Sequence, residues 1–228
     1  MKLSVIVPVY NERNTIQEIL RRVRAVDLGE IRKEIIIVDD GSADGTYDIL
    51  RLEEDSTTRV LRHDVNRGKG AAIRTALPHA TGGLVVIQDA DLEYDPDDYR
   101  LLIAPILKKR ASVVYGSRFT GEHRDMLFWH LLGNRFLSLV TNVLYNTTLT
   151  DMETCYKMFT SEALEGVTIS SDRFDFEPEI TAKMLKKKIR IYEVPVSYVG
   201  REYTEGKKIT WRDGFRALYT LFKYRFVD

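Results

Sequence analysis

The chain has 228 residues, 44% hydrophobic, 30% charged and 10% aromatic. That is enough apolar material for one sizeable core, and it excludes the disordered, collagenous and disulfide-rich classes. Lys plus Arg and Asp plus Glu number 34 each, so the formal charge is zero, which argues against a nucleic-acid partner, since such proteins are normally basic. The single cysteine, Cys155, rules out an internal disulfide framework and a Cys-based zinc site. It reads as a small apolar residue beside a strand. Charge is uneven along the chain: residues 178–228 carry 12 Lys/Arg against 6 Asp/Glu, which leaves the first 177 residues net acidic. An acidic front and a basic tail point to two different partners.

The N-terminus shows no secretory pattern, because Pro8 interrupts the run Leu3-Ser4-Val5-Ile6-Val7 before any cleavage-like site. Apolar β-branched runs at residues 3–10, 34–40, 59–64, 84–90 and 112–118 predict strands. The first, second and fourth are continuous (SVIV, IIIV, LVVI), as in strands buried on both faces of a parallel sheet. Helical segments fall between them at 15–26, 46–54, 70–79 and 96–109, the last with Pro96 in its first turn and Asp95 as its cap. Strand–helix alternation predicts an α/β fold with a mostly parallel sheet.

Beyond Arg118 the rhythm changes. Residues 126–145 form a long helix candidate with Phe128, Trp129, Leu132, Phe136, Leu139, Val140 and Val143 on one broad face, and His130, Asn134, Ser138 and Thr141 opposite. A strand near 155–160, a helix near 177–188, a strand at 189–198 and a last helix at 210–226 follow. In that last helix Trp211, Phe215, Leu218, Phe222 and Phe226 share a stripe beside Arg212, Arg216 and Lys223. Such stripes suit a bilayer interface, and equally a helix packed on its own sheet with snorkelling basic side chains. No stretch of about 18 uncharged apolar residues occurs, so no membrane-spanning helix is expected.

In an open parallel sheet, ligands bind at the carboxyl ends of the strands, and four of these ends carry reactive groups. They read Val7-Pro8-Val9-Tyr10-Asn11-Glu12, Val38-Asp39-Asp40-Gly41-Ser42, Gln88-Asp89-Ala90-Asp91-Leu92-Glu93 and Tyr115-Gly116-Ser117-Arg118. Asp89-x-Asp91 is the sharpest of them. On extended chain, residues i and i+2 face the same way, roughly 6.5–7 Å apart. Two carboxylates can then converge on one hard divalent cation carrying a nucleotide phosphate, with Glu93 a third candidate. The competing reading is a solvated acidic loop, since Asp95, Asp97 and Asp98 follow. A carboxylate at Asp39-Asp40 can accept from a base N–H or ribose hydroxyls, or serve only a turn. Asn66-Arg67-Gly68-Lys69-Gly70-Ala71-Ala72 resembles a Gly-rich, anion-binding turn into a helix, yet it has neither Walker nor dinucleotide-binding spacing. Arg118, Arg135, Arg201, Lys207 and Lys208 are the cations a polyphosphate site could recruit.

The ordered set V-P-x-Y-N-E, V-D-D-G-S-x-D-G-T, N-x-G-K-G-A-A, D-A-D-L and G-S-R resembles inverting GT-A glycosyltransferases of family 2. The nearest branch is the dolichol-phosphate mannose synthase and dolichol-phosphate glucose synthase group, with bacterial polyprenyl-phosphate glycosyltransferases. Asp151-Met152-Glu153-Thr154-Cys155-Tyr156-Lys157-Met158-Phe159, Tyr192-Glu193-Val194-Pro195-Val196 and Arg201…Gly206-Lys207-Lys208 match the same branch. The resemblance covers nearly the whole chain. It implies a Rossmann-like three-layer GT-A domain over residues 1–228, with 1–118 as the nucleotide-sugar half and 119–228 as the acceptor half.

It also implies roles. Pro8, Tyr10, Glu12, Asp39 and Asp40 hold the base and ribose of a nucleotide sugar such as GDP-mannose or UDP-glucose, alongside Lys69 and Ala90. Asp89 and Asp91 bind Mg²⁺ or Mn²⁺ on its diphosphate, with Glu93 standing where many relatives carry Gln. Ser117, Arg118 and Arg135 meet the phosphate of a polyprenyl-phosphate acceptor, and Glu177 or Glu179 sits near the acceptor end. Arg201 and Lys207 close over the phosphates. Asp89, Asp91, Arg118 and Arg135 form the catalytic set. Many relatives append transmembrane helices, so a chain without one is expected to reach its lipid from the cytoplasmic membrane surface or through a partner.

The chemistry follows from the acceptor. A phosphate monoester is largely dianionic near pH 7, with a second pKa of about 6, so it needs no general base to attack the anomeric carbon. Catalysis is then mainly electrostatic stabilisation of the leaving diphosphate. A sugar-hydroxyl acceptor would instead require a carboxylate base, with Glu177, Glu179 and Asp151 as candidates. A catalytically silent lipid- or partner-binding module on the same scaffold is the remaining alternative from a different class.

Overall fold

The continuous apolar runs become strands β1 (Lys2–Val9), β2 (Arg32–Asp39), β3 (Thr58–Arg62) and β4 (Leu84–Ile87), followed by β5 (Val113–Ser117), β6 (Lys157–Thr160) and β7 (Ile191–Pro195). In the computed structural model of the chain, which describes residues 1–201 and 211–227, they form one sheet in the order β3-β2-β1-β4-β6-β5-β7. β1 pairs in parallel with β2 and β4, β2 with β3, and β5 with β7, while β6 is antiparallel to both β4 and β5. The α/β expectation with a mostly parallel sheet therefore holds. Val5, Ile6 and Val7 of β1 and Ile37 and Val38 of β2 are fully buried, which is why these strands carry no polar alternation.

The helices are α1 (Ile16–Ala25), α2 (Thr46–Leu50), α3 (Lys69–Ala76), α4 (Tyr99–Leu107), α5 (Phe128–Tyr145), α6 (Ser161–Leu164), α7 (Phe176–Lys186) and α8 (Trp211–Phe226). Asp95 caps the turn Pro96–Asp98 before α4, its side chain accepting from Asp97 N. α2 stops at Leu50, short of the expected 46–54, because Leu50 is its last buried residue and Leu52 is exposed. A short helix holds only while it has a face to bury. The other predicted ends move by one to a few residues.

Two features of this topology position the site. Six strands run in one direction, so their carboxyl ends share one edge of the sheet. The reversed β6 starts from that same edge and brings the preceding loop to it. α5 and α8 pack on each other away from the sheet, through Leu137, Met152, Ala217 and Leu221. α5 buries Ser138 and Thr141 beside Leu137, while Phe128, Trp129, Phe136, Leu139 and Val143 are exposed.

Candidate active site

Two edge turns are joined first. Asn11 adopts φ 51°, a left-handed conformation that Asn tolerates better than most residues. Its N–H donates to Ser42 Oγ and its side-chain oxygen accepts from Ala43 N, both at 2.9 Å. Glu12 N donates to Thr46 Oγ1 at 3.0 Å. Asp40 Oδ1 accepts from Arg67 N at 2.9 Å and lies 2.7 Å from His63 Nδ1, and Oδ2 accepts from Gly68 N at 2.7 Å. Asp40 therefore shapes the 63–68 loop. Gly68 has φ 104°, and a Cβ there would come within 2.3 Å of the Asp172 carbonyl oxygen. Only glycine allows that approach, and the turn it makes delivers Lys69 to the sheet edge.

The Asp89-Ala90-Asp91 turn is clamped from below. Gln88 is fully buried; its Oε1 accepts from Tyr99 Oη at 2.6 Å and Tyr156 Oη at 2.7 Å, and its Nε2 donates to the Asp89 carbonyl at 3.0 Å. Leu92 at φ 64° is a left-handed outlier for so bulky a residue. Arg201 then bridges the carboxylates: its Nη2 lies 2.9 Å from Asp91 Oδ2 and 3.2 Å from Glu12 Oε1, and its Nε 3.7 Å from Glu93 Oε1. Glu93 also accepts from Tyr198 Oη at 2.9 Å and Arg201 N at 2.8 Å. Burial, and then the charges of Asp89 and Glu93, push Asp91 up to about 7 in spite of Arg201.

The loop entering β6 supplies the opposite wall. Asp151 is fully buried and accepts from Arg118 N at 3.0 Å and from Arg118 Nε and Nη2 at 2.7 Å each. Glu193 of β7 accepts from Thr150 N at 2.9 Å and Asp151 N at 3.1 Å. Lys157 Nζ donates to the carbonyls of Met152, at 2.8 Å, and Thr154, and lies 4.4 Å from the Tyr115 ring centroid. With both ends fixed, the loop holds Glu153 on the cleft wall. Burial, and then Glu177, push Glu153 up to about 8. Lys69 Nζ pairs with Asp89 at 2.9 Å and Glu177 at 2.8 Å. Burial alone would favour neutral Lys69, but its anionic neighbours, led by Asp89, hold it above its ordinary value.

These groups line one cleft of about 1020 Å³ that runs from the carboxylate edge to Trp129, His130, Gly133 and Leu137 of α5 and Asp213, Gly214 and Ala217 of α8. Of the sequence-predicted residues, it brings together Pro8, Tyr10, Glu12, Asp40, Lys69, Asp89, Ala90, Asp91, Glu93, Arg118, Glu177 and Arg201. Four stand apart. Asp39 points to the other face of β2 from Asp40 and is fully buried, with Arg62 Nε 3.4 Å away. Ser117 is fully buried and bonds Thr150 Oγ1 at 2.7 Å. Glu179 is fully buried, accepting from Ser170 N and Ser171 N and pairing with Lys183. Arg135 is exposed on α5, its guanidinium 4.8 Å from the Phe119 ring centroid. Asp151 is committed to Arg118 and is no free base. Lys207 and Lys208 lie outside the described residues. Sequence reasoning missed Glu153, Tyr94, Arg124, Cys155, Arg173 and Tyr198 on the wall. The signal for Glu153 and Cys155 was a reversed strand entering from the ligand edge.

Among the described residues, no three His, Cys, Asp or Glu side chains are grouped to hold a metal ion. The expected Asp89, Asp91 and Glu93 trio is not assembled, because Lys69 takes Asp89 and both Tyr198 and Arg201 take Glu93. Asp91 still fits a hard divalent cation. Its charge is destabilised by burial and like neighbours, its donors are oxygens, and a guanidinium stands where positive charge is required.

The comparisons with known proteins agree with this fold. A model of the family described as "Glycosyl transferase family 2" matches residues 4–168, and the chain belongs to that family. It is a glycosyltransferase. It is 30% identical to a Methanococcus voltae protein named UDP-N-acetylglucosamine–dolichyl-phosphate N-acetylglucosaminyltransferase, covering 96% of this chain and 94% of that one. It is 28% identical to a dolichol-phosphate mannosyltransferase from Pyrococcus furiosus, over 98% of this chain and 64% of that one. Glucosyl-3-phosphoglycerate synthase from Mycobacterium tuberculosis, solved with Mn²⁺, UDP and product, superposes with a TM-score of 0.76 at 19% identity, covering 100% of this chain and 81% of that chain. That likeness carries the GT-A fold.

The raised Glu153 sets a pH signature. A carboxyl raised in the folded state contributes stability below its unfolded pKa and loses it as pH rises toward about 8. E153Q removes this loss, so its melting temperature relative to wild type should climb between pH 5 and pH 8.5. A tenfold change in proton affinity corresponds to about 1.4 kcal/mol, or roughly 3–6 °C. Parallel melting curves for the two proteins across this range would contradict the assignment.

Proposed function

We propose that the chain transfers a hexose from a nucleotide sugar to a polyprenyl or dolichyl phosphate, with inversion at the anomeric carbon, on the cytoplasmic face of a membrane. The observation that carries this reading is the single cleft, which joins an acidic sheet edge to two helices whose outer faces are apolar. The residues of 1–118 supply the donor end, and α5 and α8 within 119–228 supply the acceptor end. GDP-mannose and UDP-glucose are the donors first considered, and the name of the M. voltae relative adds UDP-N-acetylglucosamine.

Asp91 and Asp89 are the residues that would hold Mg²⁺ or Mn²⁺. When bound, the cation neutralises charge developing on the leaving diphosphate. The chain's own residues do the rest. Arg201 sits at the carboxylates of Glu12, Asp91 and Glu93, so its positive charge is already where phosphate oxygens would arrive. Arg118, locked in orientation by Asp151, lines the cleft together with Arg124 and Arg173. A phosphate dianion among these cations attacks without a base. The hydroxyl-acceptor alternative is disfavoured because Asp151 and Glu179 are paired internally and Glu177 is paired with Lys69, so each is already engaged by a cation.

The test is product identity. Radiolabelled donor is incubated with polyprenyl phosphate or with the neutral polyprenol, with and without Mn²⁺. Transfer should occur only to the phosphate, and D91A should reduce it by about 100-fold or more, in keeping with losing a principal electrostatic group. Label on polyprenol or a free sugar instead, or full activity in D91A, would overturn the reading.

The membrane part has its own test. Phe136 and Leu139 are exposed one turn apart on α5 and do not line the cleft. Each apolar side chain removed from water contributes about 1.5–3 kcal/mol, so F136D/L139D should weaken binding to anionic vesicles at least about 10-fold with donor affinity unaltered. Equal vesicle binding would contradict membrane docking through α5.

A further inference from the structure

Two carboxylate oxygens on the cleft wall are buried and accept no hydrogen bond among the described residues: Glu153 Oε1 and Glu177 Oε2. They come from different elements, the loop before β6 and the first turn of α7. Glu177 is only 4% exposed, and a buried acceptor left without a donor is costly. The nearest cations do not relieve them. Lys69 Nζ is taken by Asp89 and by the other oxygen of Glu177, at 2.9 and 2.8 Å. Lys157 Nζ is taken by the backbone carbonyls of Met152 and Thr154. Both free oxygens therefore belong to whatever fills the cleft.

The chemistry narrows the occupant. Acceptor oxygens call for hydrogen-bond donors, not for phosphate. The cation site is already proposed at Asp89 and Asp91, and Lys69 stands between it and Glu177. Neutral hydroxyls remain. Position narrows it further: one ammonium, that of Lys69, spans Glu177 and Asp89, so the pair adjoins the proposed diphosphate end, where a nucleotide sugar passes from phosphate to sugar.

Resting on the hexosyl-transfer reading above, we propose that Glu153 and Glu177 form the hydroxyl-reading pair for the donor's sugar and select which hexose is transferred. Glu177 accepts from one sugar hydroxyl. Glu153, which holds its proton near neutral pH, can donate to one sugar oxygen and accept from another. An epimer whose hydroxyl points away leaves both oxygens unmet, and a site built to bond a hydroxyl rejects ligands that lack it far more strongly than an apolar pocket does.

Calorimetry on the full chain with Mn²⁺ tests this, comparing UDP and GDP with UDP-glucose, UDP-N-acetylglucosamine and GDP-mannose. In wild type the matching nucleotide sugar should bind more tightly than its nucleoside diphosphate. E177Q and E153A should weaken the nucleotide sugar about 10-fold while leaving the nucleoside diphosphate within about twofold. E153Q, which keeps the side-chain shape, carries the test if E153A does not fold. A sugar increment unchanged in these variants overturns the pair, and so does an equal loss for nucleotide and nucleotide sugar, or no increment in wild type. If wild type binds neither nucleotide nor nucleotide sugar, the transferase reading itself falls and takes the pair with it.

Discussion

Negative charge crowded onto one edge of the sheet is the constraint on which the rest of the structure depends. Glu12, Asp89, Asp91, Glu93 and Glu177 all face one cleft. Two like charges about 4 Å apart repel by about 4 kcal/mol at an effective dielectric of 20, so such an edge cannot stand alone. Lys69 and Arg201 are interleaved among the carboxylates, yet burial, and then the charges of Asp89 and Glu93, still push Asp91 up to about 7. Lys69 is there because Gly68 lets the chain pass against the 171–172 backbone. Arg201 is there because the 198–201 segment is pinned, through Tyr198 and its own backbone, to Glu93 and to residues 122–124. The scaffold devotes many specific contacts to bringing positive charge to this edge, which is what a cation-borne diphosphate would do on binding.

The second half of the molecule leaves apolar surface uncovered. A helix beside a sheet normally buries its apolar stripe, but α5 buries only Leu137, Ser138 and Thr141 and leaves Phe128, Trp129, Leu132, Phe136, Leu139 and Val143 exposed. Ser138 Oγ accepts from Met152 N at 3.1 Å, and Tyr145 Oη bonds the Leu221 carbonyl at 2.7 Å across α5 and α8. Among the described residues no helix is long and apolar enough to cross a membrane. The same helices, α5 and α8, also line the cleft, through Trp129, His130, Gly133 and Leu137 and through Asp213, Gly214 and Ala217.

Much of this was legible in the sequence. Continuous β-branched runs gave away strands buried on both faces, and the carboxyl-end rule located Glu12, Asp40, Asp89 and Asp91 at the edge. What the sequence hid was orientation. Adjacent Asp39 and Asp40 look equivalent as letters, yet strand alternation puts one on the cleft and one behind it. Glu177 and Glu179 look alike too, but two residues apart on a helix they face different sides, and Glu179 ties down the 170–171 backbone instead. Ser117 and Arg135 were assigned by motif, and neither strand pairing nor helix phase could be read from the motif. Glu153 was missed for a topological reason. Only non-sequential pairing of β6 between β4 and β5 brings its leading loop to the ligand edge.

The most direct test of this charge-matched edge is a crystal structure of the chain with Mn²⁺ and the nucleoside diphosphate that it binds, with manganese located by its anomalous signal. The expected result is a manganese peak at the Asp91 carboxylate, with the Arg201 guanidinium displaced from its 2.9 Å contact there. A nucleotide and metal bound elsewhere, with Arg201 still joined to Asp91 and Glu12, would contradict it.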